Sequence, residues 1–285
     1  MNHNFIAKQL LRKQNEIWDE FDSAHPPELF HYTCPKCFHS IIESGEIWLT
    51  DIANVNDPRE GDYGLQVIQS VLARNRTRVD EEFAKSIMSY KSLFGLNESW
   101  SLYVACFCSA GERAQMWKNY ACAGTGYAIA FDYDKLIAGA LAGKKYSLFR
   151  VLYDRVIQEQ KIEATLEHAF ALELTMNLPA KDHQLFWMKE LAVALIACAS
   201  RFKAPKWSYE EEFRLSIVDP PDILKFDSEG KSRIRIDLAR DTVKSVIRGS
   251  RSGANLDVLA MRALLNQQGY GTDVQVVEAR TATGP

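Results

Sequence analysis

Hydrophobic and polar positions along the chain switch between a helical period of about 3.6 and strand-like alternation or short apolar runs. Phe5, Ile6, Leu10, Leu11, Ile17, Trp18 and Phe21 share one face of a helix over Phe5–Phe21, which His25-Pro26-Pro27 stops. Leu29–Tyr32 reads as a short strand. Thr33 then caps a helix that has Pro35 just inside its start and Cys37, Phe38, Ile41 and Ile42 on its buried face. Gly45 ends that helix as a left-handed residue, and Ile47-Trp48-Leu49 is the next strand. Asn54–Gly64 is polar and loop-like. Helices follow at Leu65–Ala73 and Asp80–Leu93.

Leu102–Ser109 is apolar, β-rich and bounded by polar residues, which predicts a buried strand. Glu112–Ala121 is a short helix, and Gly124-Thr125-Gly126 turns into a strand at Tyr127–Phe131. Leu148–Tyr153 is strand-like. Two long amphipathic helices, Ile157–Leu178 and His183–Phe202, are split by Pro179, and the loop Lys203–Tyr209 follows. Strands are predicted at Glu211–Val218, Arg233–Ile236, Lys244–Arg248 and Val274–Glu278, with a helix at Asn255–Gln267. This irregular interleaving predicts an α+β fold with a mixed or antiparallel central sheet and surrounding helices. No repeat, linker or composition break divides the chain. The expectation is a single domain over 1–285, with an N-terminal helix at 1–25, a core at 28–279 and a tail at 280–285.

Composition adds exclusions. The 285 residues are 47% hydrophobic and 25% charged, enough for a full core. A net charge of −3 and a pI near 6.1 argue against a dedicated binder of long nucleic acids. No apolar run reaches membrane-spanning length, and the N-terminus lacks the apolar core of a signal peptide. A cytoplasmic location is therefore expected, with no membrane partner and with the six cysteines as thiols.

Several groupings carry candidate chemistry. Cys34-x-x-Cys37 with His39 suggests zinc, but a structural zinc needs four ligands, and Cys106-x-Cys108 lies inside a predicted strand; small buried thiols and no metal are the expectation. A redox pair would need a βαβ context that is missing. His31-Tyr32-Thr33 ends a strand, where polar side chains often line crevices; His31 reads either as such a side chain or as a histidine satisfied by backbone hydrogen bonds. Asn56-Asp57-Pro58 reads either as an Asx-type turn or as a ligand-facing loop. Gly124-x-Gly126 is too short for a phosphate-binding fingerprint, and Tyr127 after it could project into a cleft. On a strand, Glu210, Glu212 and Arg214 share one face and Glu211, Phe213 and Leu215 the other. The first face is either a solvated edge or a cleft wall whose carboxylates suit acid/base or cation-stabilising work.

Taken together, Phe30-His31-Tyr32-Thr33, Gly45-Glu46-Ile47-Trp48, Asn56-Asp57-Pro58-Arg59-Glu60, Cys106-Phe107-Cys108-Ser109, Met116-Trp117-Lys118-Asn119-Tyr120, Gly126–Asp132 and Lys206–Arg214 resemble the ordered motifs of a bacterial family of unknown function, the domain family numbered twenty-nine seventy-one. The resemblance runs from Leu29 to Glu278, with two departures: Lys206 stands directly before Trp207, and Phe213 stands where that family more often has Trp. A looser resemblance is to the ADP-ribosyltransferase fold, which opens with a histidine strand, a small helix and a glycine turn and places a catalytic glutamate on a late strand. That resemblance implies an NAD-using transferase, a toxin or defence effector (phage defence among such roles). Glu212 would be the catalytic carboxylate on the ribose 2′-hydroxyl, and Glu210 would deprotonate the acceptor or orient water. His31 would hold the ribose, and an aromatic among Tyr127, Tyr32, Trp117 and Tyr120 would stack on nicotinamide. Thr33, Asn56, Asp57 and Arg214 would complete the rim, with Arg59, Arg113 or Lys118 on the diphosphate. The implied partner is a small nucleotide, NAD, with an acceptor macromolecule that the sequence does not identify. The rivals are a non-catalytic module that binds a nucleotide, RNA or protein in the same cleft, and a nuclease using Asp57 and Glu60.

Overall fold

The computed structural model describes residues 3–55, 60–79, 81–89, 102–141, 146–176, 190–218, 225–226, 232–251 and 257–280. The helices are α1 (His3–Ser23), α2 (Pro35–Ser44), α3 (Glu60–Arg74), α4 (Glu81–Ser89), α5 (Ala114–Tyr120), α6 (Tyr133–Leu141), α7 (Arg155–Met176), α8 (Ala192–Ala199) and α9 (Val258–Gln267). The strands are β1 (Glu28–Thr33), β2 (Glu46–Asp51), β3 (Leu102–Cys108), β4 (Tyr127–Asp132), β5 (Tyr146–Arg150), β6 (Glu212–Val218), β7 (Lys225–Phe226), β8 (Ser232–Asp237), β9 (Val243–Arg248) and β10 (Gln275–Glu278). Helix α6 and strand β7 had no counterpart in the sequence pattern. Part of the helix expected over His183–Phe202 lies outside the described residues.

The chain alternates between two compact units. The first comprises Met1–Ala24, Ile52–Ser101 and Arg150–Ser208, and its described elements are helical. Leu65, Ile68 and Leu72 of α3, Ile162 and Leu166 of α7, Leu195 and Cys198 of α8, and Trp18 of α1 are buried. Gly64 allows the close approach of α3 to α8: a Cβ there would meet the Ala199 carbonyl oxygen at 2.8 Å. Arg74 at the end of α3 pairs with Glu159 and Glu163 of α7, and Arg78 in the turn that follows pairs with Glu167.

The second unit, His25–Asp51, Leu102–Phe149 and Tyr209–Pro285, holds the sheet. Its strands run β10-β9-β4-β1-β3-β2-β8-β7, with β6 on β3 and β5 on β6. Among the pairs with a described register, only β9–β10 is parallel. This is an open, mostly antiparallel α+β sheet. One face is the main core: Leu29, Ile47, Leu49, Phe107, Ile129, Phe131, Phe213 and Leu215 pack there with Met261 and Leu265 of α9. The other face carries a smaller cluster, in which Tyr32, Cys108 and Ala128 pack against Met116 and Trp117 of α5.

Local chemistry corrects one expectation. The N-cap of α2 is Cys34, whose Sγ accepts the Cys37 backbone N–H at 3.3 Å. Thr33 is not the cap, because it is still in β1, buried and paired with Tyr127. Pro35 and Gly45 behave as expected: Pro35 opens the helix, and Gly45 closes it at φ 70° with its N–H on the Ile41 carbonyl at 2.8 Å.

Strand β3 organises this unit. Along one edge it pairs with β6 over its whole length, Leu102↔Val218 through Cys108↔Glu212. The other edge is shared: β1 meets it at Phe30↔Cys108, and β2 at Thr50↔Val104 and Asp51↔Tyr103. β1 and β2, joined by α2, therefore diverge over the middle of β3 and leave a fork in the sheet at Cys106.

Candidate functional site

The fork is where the chemistry-bearing residues gather. Residues that point to the β1/β2 edge of β3 alternate. Val104 and Cys108 pair there with β2 and β1, and between them the Cys106 carbonyl accepts a hydrogen bond from His31 Nδ1 at 3.0 Å. A carbonyl can only accept, so Nδ1 carries the proton and Nε2 is left as an acceptor. His31 is half-buried beside the Phe107 ring, and burial lowers its pKa below the ordinary histidine value. The Cys106 side chain is exposed at the centre of the sheet.

Opposite Cys106, on β6, stands Arg214. Its Nε donates to Glu212 Oε1 at 2.7 Å and its terminal nitrogen to Oε2 at 3.1 Å, a bidentate pair whose side chains are only 2% and 4% exposed. Burying two charges is tolerable only with such pairing, and loss of either partner strands the other. Directly ahead of the strand, Glu210 ends the 3₁₀ helix Pro205–Glu210 and is buried, accepting the Tyr120 hydroxyl of α5. Asn119 of the same helix donates to the Tyr209 hydroxyl at 3.0 Å. Tyr32 closes the wall: its hydroxyl donates to the Ala110 carbonyl at 2.8 Å and accepts the Arg113 N–H at 3.2 Å, so it caps α5. Burial raises its phenol pKa. Trp117 lies edge-on to Tyr32 at 5.1 Å, and its buried indole N–H has no acceptor among the described residues.

Between Glu210 and Glu212 the backbone departs from strand geometry. Glu211 takes φ 40°, a left-handed value that costs a non-glycine residue about 1–3 kcal/mol. Its surroundings fix it there: its carbonyl accepts the Ser109 N–H at 3.2 Å, while its carboxylate accepts the Ser109 hydroxyl and pairs with Arg113. At 40% side-chain exposure, Glu211 is the carboxylate of the three that solvent reaches.

Several sequence expectations change in this light. Glu210 does not share a strand face with Glu212 and Arg214, because the 3₁₀ helix runs up to it and the positive φ at Glu211 resets the alternation. Strict alternation had put Glu211 with the core residues Phe213 and Leu215. Tyr127 does not project into a cleft: it is fully buried in the main core and stacks on Phe38 at 4.0 Å. The registers Phe30↔Cys108↔Glu212 put Phe30, Tyr32, Glu212 and Arg214 on one sheet face and the His31 backbone position on the other. His31 and Glu212 thus do not line one wall: His31 reaches Cys106 from one edge of β3, and Arg214, which holds Glu212, stands opposite Cys106 on the other. Thr33 is buried at the end of β1. Asn56, Asp57 and Arg59 lie outside the described residues, and Lys118 is exposed on α5. The sequence pattern did not bring out the contact between Glu211 and Ser109. The signal available was Ser109 closing the buried strand.

Among the described residues no group of three or more His, Cys, Asp or Glu side chains is arranged to hold a metal, and no helix is long and apolar enough to cross a membrane. The class that fold and site define is an α+β protein with a mostly antiparallel open sheet and a polar, arginine-anchored fork at its centre. Residues 116–215 match the family model described as "Protein of unknown function (DUF2971)", which supports the family resemblance carried by the sequence motifs. The match takes in α5, β4 and the Glu210–Arg214 segment. No curated protein and no solved structure matches the chain.

Proposed function

We propose that the chain is an NAD-using enzyme of ADP-ribosyltransferase type, a cytoplasmic toxin or defence effector that needs no metal and presents NAD to a macromolecular acceptor at the fork. The observation that carries this reading is the convergence on Cys106 of His31 from one edge of β3 and of Arg214, which holds Glu212, from the other. Breaking a nicotinamide–ribose bond develops an oxocarbenium-like cation. An ionised carboxylate held by Arg214 supplies fixed negative charge for it, and Nε2 of a neutral His31, whose backbone lies on the other face, is the acceptor offered to a nucleotide hydroxyl that reaches into the fork. Glu211, exposed at the mouth, takes the acceptor-side role in place of the buried Glu210. Arg113 beside it is the diphosphate candidate that lies at this site.

The test is nicotinamide release from NAD by the full-length chain. Glu212→Gln is expected to lower it by about 100-fold or more with an unchanged circular dichroism spectrum. If folded wild type neither binds nor turns over NAD, the reading fails. A second reading, a non-catalytic nucleotide-binding module, is favoured by the depth at which Arg214 engages Glu212. Under that reading the chain binds nucleotide without turnover, and Glu212→Gln lowers Tm while leaving affinity unchanged.

A further inference from the structure

Away from the carboxylates, the second unit brings three thiols together at the end of β1. Cys34 at the N-cap of α2 is in side-chain contact with both Cys37 and Cys122. Backbone geometry independently requires the two chain segments to touch. Gly126 sits between them so tightly that a Cβ would lie 2.1 Å from the Thr33 carbonyl oxygen and 3.0 Å from that of Ala121, the residues preceding Cys34 and Cys122. Gly126 N–H also bonds the Ala121 carbonyl at 2.9 Å. Cys122 and Ala123 both hold left-handed φ values, 48° and 55°, which turn this loop back toward β1. Cys37 and Cys122 are exposed and Cys34 is half-buried, so small oxidants reach the cluster.

We propose that Cys34, Cys37 and Cys122 form an oxidation-sensitive thiol centre in which a peroxide converts Cys34 and Cys122 to a disulfide that staples the β1–α2 junction to the loop after α5. Position chooses the attacking thiol. Cys34 stands at the N-terminus of α2, where the Cys37 backbone N–H donates to its sulfur at 3.3 Å and the helix dipole points at it. Burial and the neighbouring Cys34 instead push the Cys37 thiol up to about 11. The Cys34 thiolate attacks one peroxide oxygen, the O–O bond breaks, and hydroxide leaves, giving a sulfenic acid. The Cys122 sulfur then attacks the Cys34 sulfur and water leaves. Two thiols and one hydrogen peroxide yield one disulfide and two waters. Because Cys122 follows α5 closely, the staple fixes the helix that carries Trp117 and Tyr120, whatever reaction the fork performs.

The test treats reduced full-length protein with stoichiometric hydrogen peroxide, blocks remaining thiols by alkylation and maps linked tryptic peptides. Lys36 lets trypsin part Cys34 from Cys37. A Cys34–Cys122 linkage is expected, retained in Cys37→Ser and abolished in Cys122→Ser, and thiol oxidation should slow about tenfold in Cys34→Ser. All three variants are checked by circular dichroism. A Cys34–Cys37 linkage in the wild type, or single-cysteine oxidation with no linkage, overturns the staple.

Discussion

Single side chains decide how the fork is held. Arg214 neutralises a carboxylate that has almost no contact with water. Arg214→Met is therefore expected to lose about 3–5 kcal/mol in denaturant unfolding, and adding Glu212→Leu should restore most of it, since a buried pair replaced by apolar side chains is often neutral. Equal losses in the single and double variants would show that Arg214 acts through packing and not through charge. His31 gives a pH signature. Its folded pKa lies below 6.5, so the unfolded chain binds more protons as the medium acidifies. The stability this contributes is fully present above pH 6.5 and is lost as pH falls below that value and through the folded pKa. His168 shifts in the same direction. The share belonging to His31 is thus the part of the acid slope that His31→Gln removes in unfolding measured at several pH values. At this scale the sequence was informative about identity and poor about direction. His31, Tyr32, Glu212 and Arg214 stood out as residues, but one left-handed φ at Glu211, invisible to a period-two pattern, rearranged which carboxylate meets solvent.

Elements were legible wherever a local signal governs them. The Pro35 start and Gly45 end of α2, the continuous apolar run of β3 and the turn into β4 all follow from residues within a few positions of one another. Pairing was not legible, because β3 meets β1 and β6 across long sequence separations and no periodicity encodes that choice. The seam between β1 and β4 shows how sharply such pairing constrains a residue. Gly126→Ala would press a methyl group against the Thr33 carbonyl, a backbone atom that no rotamer change can move. A loss of about 2–3 kcal/mol in stability is expected, with the strand displaced and not merely repacked. The ion pairs between α7 and the end of α3 with the turn after it sit at the other extreme. Arg78 and Glu167 are each about half exposed, at 45% and 59%, so Glu167→Gln should change stability by no more than about 1 kcal/mol.

At the scale of the whole molecule, the chain weaves between its two units, each made of three separate stretches. Composition could not reveal this, since every stretch has its own ordinary mixture of apolar and polar residues. The family match illustrates the point: residues 116–215 run through pieces of both units and leave out β1, β2 and β3. That segment expressed alone lacks the strand on which β6 is built, and it is expected to show no cooperative unfolding transition. A sharp transition from the isolated segment would mean that its helices and strands suffice without β3.

The fork has a mechanical consequence as well. On its parted edge, β3 is the single spine between two leaves, β10-β9-β4-β1 on one side and β2-β8-β7 on the other. Each leaf keeps its own ladder of backbone bonds when the other opens. Native-state hydrogen exchange should therefore resolve two opening events, with the amides of β8 released independently of those in β4, and β3 the last to let go.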